Sequence, residues 1–398
     1  MKKIRVIGLM LSFGLEVFCT QIIFIYIPLM MLFNGGGEIF TSITRALAYI
    51  GPVIFGFYVG SIIDKTNKRA SGFVVAFFIA VLTASFGFMS LFNNTLLTII
   101  YLFFTSILTY FLNNLRVTVL PILIKESQLS NANSMLLIIE NIALLGAPAI
   151  SSLLIKFSLP EIGIGLLSFL FLFSSIIYLL SLKGCQVSSE TRENIGFISS
   201  FRELFRNKKL VVNVLAMMGN NAFVGVFTLY IMIHAYNSGL FTNEEAPFIL
   251  LASGVGAILS GLLATKAINF FGTNRLVILC GLMLAIFGVL PLFWNQKESY
   301  YLAAFGEGFW SSWLVICVWT IRQKTVSKEI LGKITGITSS LFKLSMIISI
   351  PLSGWISTHF GSSMSLVSAS VWILIFIIPI CVYSRRVDQN KFSFNSLK

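Results

Sequence analysis

Three acidic residues lie within long apolar segments of this 398-residue chain, where a charged side chain is costly: Glu16 and Glu140 near the middle and Glu307 nearer the outer face. Glu16 lies about 11 residues after Arg5, which is roughly 16 Å along a helix. Glu140 and Glu307 are also surrounded by apolar residues, as is one cation, Lys343. A carboxyl group in a low-dielectric environment can load and release a proton near neutral pH. These positions therefore predict proton binding or ligand contact.

The segments that carry these residues are long enough to cross a membrane. The chain is 57% hydrophobic and 11% charged, with a mean hydropathy of +0.91, whereas an ordinary soluble domain has roughly 25% charged residues. About twelve stretches hold roughly 18 or more mostly apolar residues, the length that a helix needs to cross a hydrocarbon layer about 30 Å thick. We expect an all-α, multi-pass membrane protein.

The predicted spans fall into two groups of six around one long polar segment. They cover residues 6–33, 40–63, 70–92, 96–120, 131–156, 162–182, 210–236, 246–270, 275–295, 299–321, 333–357 and 362–384. Residues 183–209 are rich in Lys, Arg and Glu and are predicted to be a cytoplasmic linker. The sequence thus predicts an N-terminal six-helix bundle over residues 1–182 and a C-terminal one over residues 210–398.

The net charge of +13 is distributed asymmetrically between the predicted loops. Only Lys156 and Lys297 fall in loops on one side; the other loop cations fall on the side of the termini, which the positive-inside rule assigns to the cytoplasm. The first apolar run contains Glu16 and shows no small-residue cleavage site, so we expect a retained span rather than a signal peptide. The cations set topology rather than bind nucleic acid.

Several chemistries are not expected. The five cysteines show no paired spacing, and His234 and His359 are the only histidines, so no metal site is predicted. No Gly-x-x-x-x-Gly-Lys-(Ser/Thr) loop for ATP occurs. No Ser/His/Asp or Cys/His set is placed for nucleophilic catalysis. We expect neither an enzyme nor a bound cofactor.

A charged signature follows the second predicted span, with its members at Gly60, Asp64, Lys65, Lys68 and Arg69. In a chain of six plus six helices, this signature resembles the loop Gly-x-x-x-Asp-(Arg/Lys)-x-Gly-(Arg/Lys)-(Arg/Lys) of the major facilitator superfamily. Asn67 stands where the family prefers Gly, and Asn tolerates a left-handed turn. The resemblance implies a transporter in which Asp64 and its cations latch the cytoplasmic side in the outward-facing state.

Further segments resemble the branch of that superfamily that holds macrolide-type drug efflux proteins and siderophore exporters. The fifth helix of exporting members commonly carries Gly-x-x-x-Gly-Pro-x-x-Gly-Gly. The corresponding positions here are Ala143, Ala147, Pro148, Ser151 and Ser152. Each Gly is replaced by another small residue and the Pro is kept, so close helix packing and a kink are both accommodated.

In the superfamily the first, fourth, seventh and tenth helices line the central cavity. The resemblance therefore favours as cavity residues Glu16, Asn113, Asn220, Asn221 and Glu307. Trp310 and Trp313 lie close to Glu307 in sequence. Their flat rings beside a carboxylate would suit an amphiphilic or cationic ligand.

Structural roles are the alternatives for these residues. Glu16 or Glu140 could form an ion pair with Lys343 or Arg116 inside the bundle. Arg116 and Arg45 could instead extend to water from the helix ends. The asparagine pairs could form hydrogen bonds between helices, and the tryptophans could pack or lie at the interface. Glu140, Lys343 and Arg116 nevertheless belong to the candidate site.

The residues and the resemblance together predict the major facilitator fold and secondary active transport in the bacterial inner membrane. The favoured activity is proton-coupled export of a small amphiphilic molecule, either a drug-like compound or a siderophore. The alternatives are import of a small metabolite and a non-transporting sensor or scaffold with the same fold. The expected partners are the substrate, protons or another coupling ion, and the lipid bilayer, and a monomer would suffice.

Overall fold

The computed structural model describes residues 2–88, 94–124, 126–157, 160–183, 204–294, 296–325 and 328–395. Within the helices, some side chains lie outside this description, among them those of Asp64 and Lys65. Residues 184–203 of the predicted linker also lie outside it. The regular structure of the described residues is helical, with no strand.

The helices alternate with short turns along the whole described chain. They are α1 (Lys2–Phe33), α2 (Glu38–Ala46), α3 (Ile50–Lys65), α4 (Lys68–Phe88), α5 (Thr95–Leu123), α6 (Glu126–Lys156), α7 (Pro160–Ser181), α8 (Lys208–Asn237), α9 (Ile249–Phe271), α10 (Thr273–Phe293), α11 (Lys297–Thr325), α12 (Lys328–Phe360) and α13 (Ser362–Asn395). Twelve helical segments of the described chain are long and apolar enough to cross a membrane. The predicted all-α membrane fold class is confirmed.

The second predicted span, residues 40–63, is not one continuous helix. It consists of α2, a 3₁₀ turn at Leu47–Tyr49, and α3. Pro52 has no N–H to donate to the carbonyl four residues earlier, so a regular α-helix cannot continue through this point without losing a hydrogen bond. Gly51 allows close contact with α5, because a Cβ at this position would lie 2.6 Å from the Ser106 carbonyl oxygen.

The described chain forms two compact units, residues 1–193 with 242–248 and residues 194–241 with 249–398. In the first unit, α1 packs against α5, α6 and α7, α4 packs against α5 and α7, and α3 packs against α5. In the second unit, α8 packs against α11, α12 and α13, α10 against α11 and α13, and α9 against α11. The same pairing scheme thus occurs twice.

The distribution of side chains is that of helices solvated by lipid. Large apolar residues such as Leu180, Leu262 and Ile286 are exposed, whereas hydroxyl residues such as Thr83 and Ser260 are fully buried. Small hydroxyl side chains let helix backbones approach and hydrogen-bond within or between helices where no water is available. The polar residues inside each unit are therefore the ones to examine for function.

Candidate functional site

Glu16 is buried on α1, with 5% of its surface exposed. Its Oε1 accepts a hydrogen bond from Ser174 Oγ at 2.5 Å, and its Oε2 accepts one from the Tyr178 hydroxyl at 3.2 Å. Ser174 and Tyr178 are one turn apart on α7, so they present both hydroxyls on the same face. The Glu16 carboxyl group is therefore held across the contact between α1 and α7.

The position of Tyr178 depends on a glycine in a third helix. A Cβ on Gly72 of α4 would lie 2.8 Å from Tyr178 Cδ1, so only a residue without a side chain lets the ring pack there. Tyr178 itself is almost fully buried. Three helices thus combine to place one hydroxyl group on Glu16.

The shell around Glu16 suits both protonation states of a carboxyl group. A hydroxyl group can donate to a carboxylate or accept from a carboxylic acid, whereas a directly paired Lys or Arg would favour the charged form alone. Within the described part of the first unit, no direct ion pair joins Glu16 to Arg116, which was the alternative, although the two groups are close enough to attract each other. The arrangement can therefore bind and release a proton without losing its hydrogen bonds.

Glu307 is buried on α11, with 4% of its surface exposed. Its Oε2 accepts a hydrogen bond from Ser253 Oγ of α9 at 2.5 Å. The two helices touch through glycines, because a Cβ on Gly308 would collide with the Ser253 carbonyl and a Cβ on Gly256 with the Phe305 carbonyl. Glu307 therefore lies where the backbones of α9 and α11 are in direct contact.

Arg116 is a buried cation on α5, with 7% of its surface exposed. Its guanidinium carbon lies 3.2 Å from the centre of the Phe13 ring, and its Nη2 donates to Asn113 Oδ1. Its Nε and Nη1 have no hydrogen-bond partner among the described residues. Asn113 is exposed, one turn earlier on the same helix. The sequence predicted Arg116 and Asn113 as separate candidates, and the structure shows a hydrogen bond between them.

The two predicted asparagines of α8 have different surroundings. Asn221 donates to the Phe342 carbonyl of α12 at 3.2 Å, which is the interhelical hydrogen bond that was the alternative for these residues. Asn220 is 2% exposed, and its Oδ1 accepts no hydrogen bond from the described residues. Lys343, half-buried on α12, follows Phe342 directly. Asn220 is thus the asparagine with capacity left for a ligand.

Trp310 and Trp313 lie in an aromatic cluster on α11. Trp313 is buried and its Nε1 donates to the Ser260 carbonyl of α9 at 2.8 Å. Its ring meets that of Phe309 at 4.5 Å and that of Trp310 at 5.3 Å between centres. Trp313 therefore helps to hold α9 against α11, and Trp310 is the more accessible of the two.

The loop between α3 and α4 caps the helix that follows it. Asn67 Oδ1 accepts from the backbone N–H of Arg69 at 3.0 Å and from that of Ala70 at 3.2 Å, so Asn67 is the N-cap of α4. This role explains why Asn serves where the family signature has Gly. The side chains of Asp64 and Lys65 and the burial of Gly60 lie outside the description.

Two cations near the same loop donate hydrogen bonds to the C-terminal ends of α3 and α7. Lys68 is 3% exposed, and its Nζ donates to the carbonyl of Ile63 at the end of α3. Arg69 Nε donates to the Leu179 carbonyl in the last turn of α7 at 2.8 Å. Cations at helix C-termini satisfy carbonyls that have no partner in the helix and complement the helix dipole.

Glu140 and the small-residue motif lie on α6. The Glu140 side chain is exposed, and the structure gives it no hydrogen bond to a described residue. Ala143, Ala147 and Pro148 are buried, so this face of α6 packs closely. The structure does not bring Glu140 into the hydrogen-bonded shell of Glu16.

Sequence reasoning did not anticipate the partners of the acids or the role of Arg45. Ser174, Tyr178 and Ser253 gave no signal, because isolated hydroxyl residues are common in membrane helices.

Arg45 of α2 donates from Nη1 to the Phe24 carbonyl at 2.5 Å. Pro28 has no N–H for that carbonyl, which lies four residues earlier, so the proline was the signal that a donor from elsewhere is needed.

No group of three or more His, Cys, Asp or Glu residues suited to a metal ion occurs in the part of the chain that the structure describes. The buried polar groups among the candidates are Glu16 and Arg116 in the first unit and Glu307 and Asn220 in the second. They are suited to binding protons and small polar groups.

Comparison with known proteins supports a transport fold. Residues 210–393 match the family described as Major Facilitator Superfamily. No curated protein matches the chain. The similar solved structures below are described as those of transporters.

Among solved structures, the chain is similar to a POT family transporter in complex with 5-aminolevulinic acid, with a TM-score of 0.76 and 12% identity over 96% of each chain. It is similar to the nucleoside transporter NupG, with a TM-score of 0.74 and 14% identity over 95% of this chain and 98% of the other. It is also similar to a bacterial homolog of the human lysosomal transporter Spinster, with a TM-score of 0.73 and 14% identity over 96% and 97%. At these identities the similarity shows the major facilitator fold.

Proposed function

We propose that this protein is a secondary active transporter that exports a small amphiphilic molecule, a drug-like compound or a siderophore, in exchange for protons. It would act in the bacterial inner membrane, as a monomer with both termini in the cytoplasm, by the alternating access common to such transporters. The twelve candidate spans and the major facilitator fold support the transport part of this proposal.

Glu16 is the observation that supports proton coupling. An acid buried inside a membrane bundle is costly and is a functional candidate by default. Its hydrogen-bond partners, Ser174 and Tyr178, offer only hydroxyl groups, which tolerate the acid in both protonation states. We assign to Glu16 the uptake of a proton on one side of the membrane and its release on the other.

The remaining candidate residues take supporting roles in this proposal. Glu307 is held by Ser253 at a closed contact between α9 and α11, so we assign it to substrate contact or to positioning of these helices. Asn220 keeps an unpaired buried amide oxygen, and Trp310 is partly exposed, so we assign to them a polar and an aromatic contact with an amphiphilic molecule. Asp64 would latch the cytoplasmic side, and we expect Asp64→Asn to insert normally but to transport more slowly.

The experiment compares small molecules inside and outside bacterial cells that contain or lack the protein, by untargeted mass spectrometry. Export predicts molecules that are enriched in the medium when the protein is present and are not enriched when a protonophore is added. Glu16→Gln should lower this enrichment by about tenfold or more, because glutamine cannot take up a proton.

Glu298→Gln is the matched control, since Glu298 is an exposed acid in the first turn of α11. It should export as the wild type does. Molecules enriched inside the cells would assign import instead. An unchanged molecular profile with an intact, membrane-inserted protein would favour the sensor or scaffold.

A further inference from the structure

We propose that Arg116 and Asn113 form the head-group end of the binding site and hold a carboxylate or other oxyanion of the substrate. The proposal rests on the proposed function only in treating the protein as a transporter of small molecules. It adds the charge of the substrate, which neither the fold nor the comparisons indicate.

The first argument is the unfilled hydrogen-bonding capacity of Arg116, whose charge is attracted by Glu16 and Glu140 although neither acid hydrogen-bonds to it among the described residues. Its side chain is more than nine-tenths buried, yet its Nε and Nη1 donate to no described residue. Buried N–H donors are normally hydrogen-bonded, because a donor without a partner loses its hydration without replacement. Arginine stays protonated in proteins, so it cannot escape this cost by becoming neutral. An anion that enters the site would supply the missing partner.

The second argument is the geometry of the guanidinium group. Its two bidentate edges pair Nη2 with either Nε or Nη1, and both of these atoms are unpartnered among the described residues. Nη2 donates to Asn113 Oδ1 and has a second hydrogen. An edge of the fork is therefore left for the two oxygens of a carboxylate or phosphate, the geometry in which Arg binds oxyanions most strongly.

The third argument is what surrounds the fork. Asn113 is exposed one turn from Arg116, so a ligand can reach its amide, which can donate to an oxyanion; Nε and Nη1 of Arg116 are buried, so an oxyanion reaches them only when the packing around them opens. Phe13 is 3% exposed and its ring packs against the guanidinium carbon, which holds the fork in place. An anionic head group fits Arg116 and Asn113.

The position of Glu16 matters for such a ligand. Phe13 is one helical turn before Glu16 on α1, so an anion at Arg116 would lie near this acid. Like charges repel, and the anion would bind best while Glu16 carries a proton. Glu16→Gln should therefore bind the anion at least as tightly as the wild type. Joint binding of anion and proton is the order of a symporter rather than of an exchanger, so tighter binding of the anion by Glu16→Gln would favour the import alternative, which the direction experiment decides separately.

The test uses purified protein in a neutral detergent and needs neither transport nor a gradient. Its melting temperature is measured against increasing concentrations of phenylbutyrate, phenylbutanamide and phenylbutylamine, which share an apolar body and differ in the charge of the head. A ligand that binds only the folded protein raises the melting temperature in proportion to its occupancy. We expect the wild type to bind the carboxylate about tenfold or more tightly than the amide, and the amine most weakly.

The variants assign this preference to the fork. Arg116→Gln should bind the carboxylate and the amide equally, and Arg116→Lys should retain part of the preference because it keeps the charge without the fork. Arg45→Gln is the matched control, because Arg45 is another buried arginine of the same unit whose Nη1 is bonded to the Phe24 carbonyl. It should keep the full preference.

Several results would overturn the proposal. One is a wild-type melting temperature that phenylbutyrate does not raise, or that phenylbutanamide raises equally. Another is an Arg116→Gln protein that folds and still prefers the carboxylate to the amide. A lipid phosphate is the other source of an oxyanion. Stabilisation by phosphatidylglycerol that requires Arg116, with no response to phenylbutyrate, would assign the site to a lipid. If instead the carboxylate preference is found but no export occurs, the proposed function fails and the site remains.

Discussion

The two buried acids look alike in the sequence, but the two units hold them differently. Glu16 accepts from two hydroxyl groups of a single neighbouring helix, one of them on a long tyrosine side chain. Glu307 accepts from one serine, at a contact where glycines let the backbones of α9 and α11 touch. Glu16 therefore has two hydroxyl partners, whereas Glu307 has a single hydroxyl partner whose position is set by a fixed distance between two backbones.

This difference suggests a division of work between the units. A group that gains and loses a proton needs partners that reorient at low cost, which hydroxyl groups provide. A group at a closed helix contact is better suited to hold that contact in place. We therefore expect substitutions near Glu307 to change stability first and substitutions of Glu16 to change coupling first.

The largest stability effect is expected for Gly308→Ala. The added methyl group would collide with the Ser253 carbonyl, which belongs to the backbone of α9 and cannot move without the helix. Overpacking of this kind costs about 2–3 kcal/mol or more. The melting temperature of the purified protein measures the effect.

Gly261→Ala is the control for this substitution, since Gly261 lies on α9 with no described atom within 4 Å of the position that the added methyl group would take. It should be neutral or slightly stabilising, because alanine is the better helix former. If Gly308→Ala melted like Gly261→Ala, the closed contact around Glu307 would not exist.

A smaller effect is expected when the hydroxyl partners are removed. Ser253→Ala leaves the Glu307 carboxyl group without a hydrogen bond from a described residue, whereas Ser174→Ala or Tyr178→Phe leaves Glu16 with one. Loss of the last partner of a buried polar group costs about 1–3 kcal/mol. We expect Ser253→Ala to lower the melting temperature more than either single substitution at Glu16, and about as much as Ser174→Ala combined with Tyr178→Phe.

Equal melting temperatures for Ser253→Ala and Tyr178→Phe would remove the distinction between the two acids. Thr228→Val is a suitable control, because the Thr228 hydroxyl donates to the carbonyl of Val224, one turn earlier in the same helix. Its loss should have little effect on packing between helices.

The smallest effect concerns Arg45 and Pro28. Arg45→Met should destabilise the wild type, because the Phe24 carbonyl then loses its donor. In a Pro28→Ala background the new N–H of residue 28 can bond that carbonyl, so the cost of Arg45→Met should fall by about 1 kcal/mol. A double-mutant cycle on melting temperature measures this coupling.

Arg69→Met is the control for the cycle, because Arg69 also donates to a carbonyl but at the end of α7, where Pro28 has no influence. Its cost should be the same in both backgrounds. A cost of Arg45→Met that does not depend on Pro28 would show that Arg45 has another role.

The fold was accessible from the sequence because it depends on features that repeat along the chain. Apolar runs of bilayer length predict the spans, and the loop signature in its position predicts the fold, which is confirmed. The interruption of the second span followed from Pro52, a local signal that the length of the apolar run concealed.

The site was only partly accessible. Glu16 and Glu307 stood out because a charge within an apolar run is rare. Ser174 and Tyr178 did not, since they lie far along the chain from Glu16 and their residue types carry no signal without the packing of α1 on α7. Lys68 resembled an ordinary loop cation, and only the end of α3 beside it shows that it is a buried cap.

The central claim is that Glu16 carries the coupled proton. Its most direct test is transport of the identified substrate in proteoliposomes, measured both as exchange without a gradient and as accumulation driven by a pH gradient. We expect Glu16→Gln to keep exchange and lose the response to the gradient, while Glu307→Gln keeps that response. A Glu16→Gln protein that still accumulates substrate in response to the pH gradient would contradict the account.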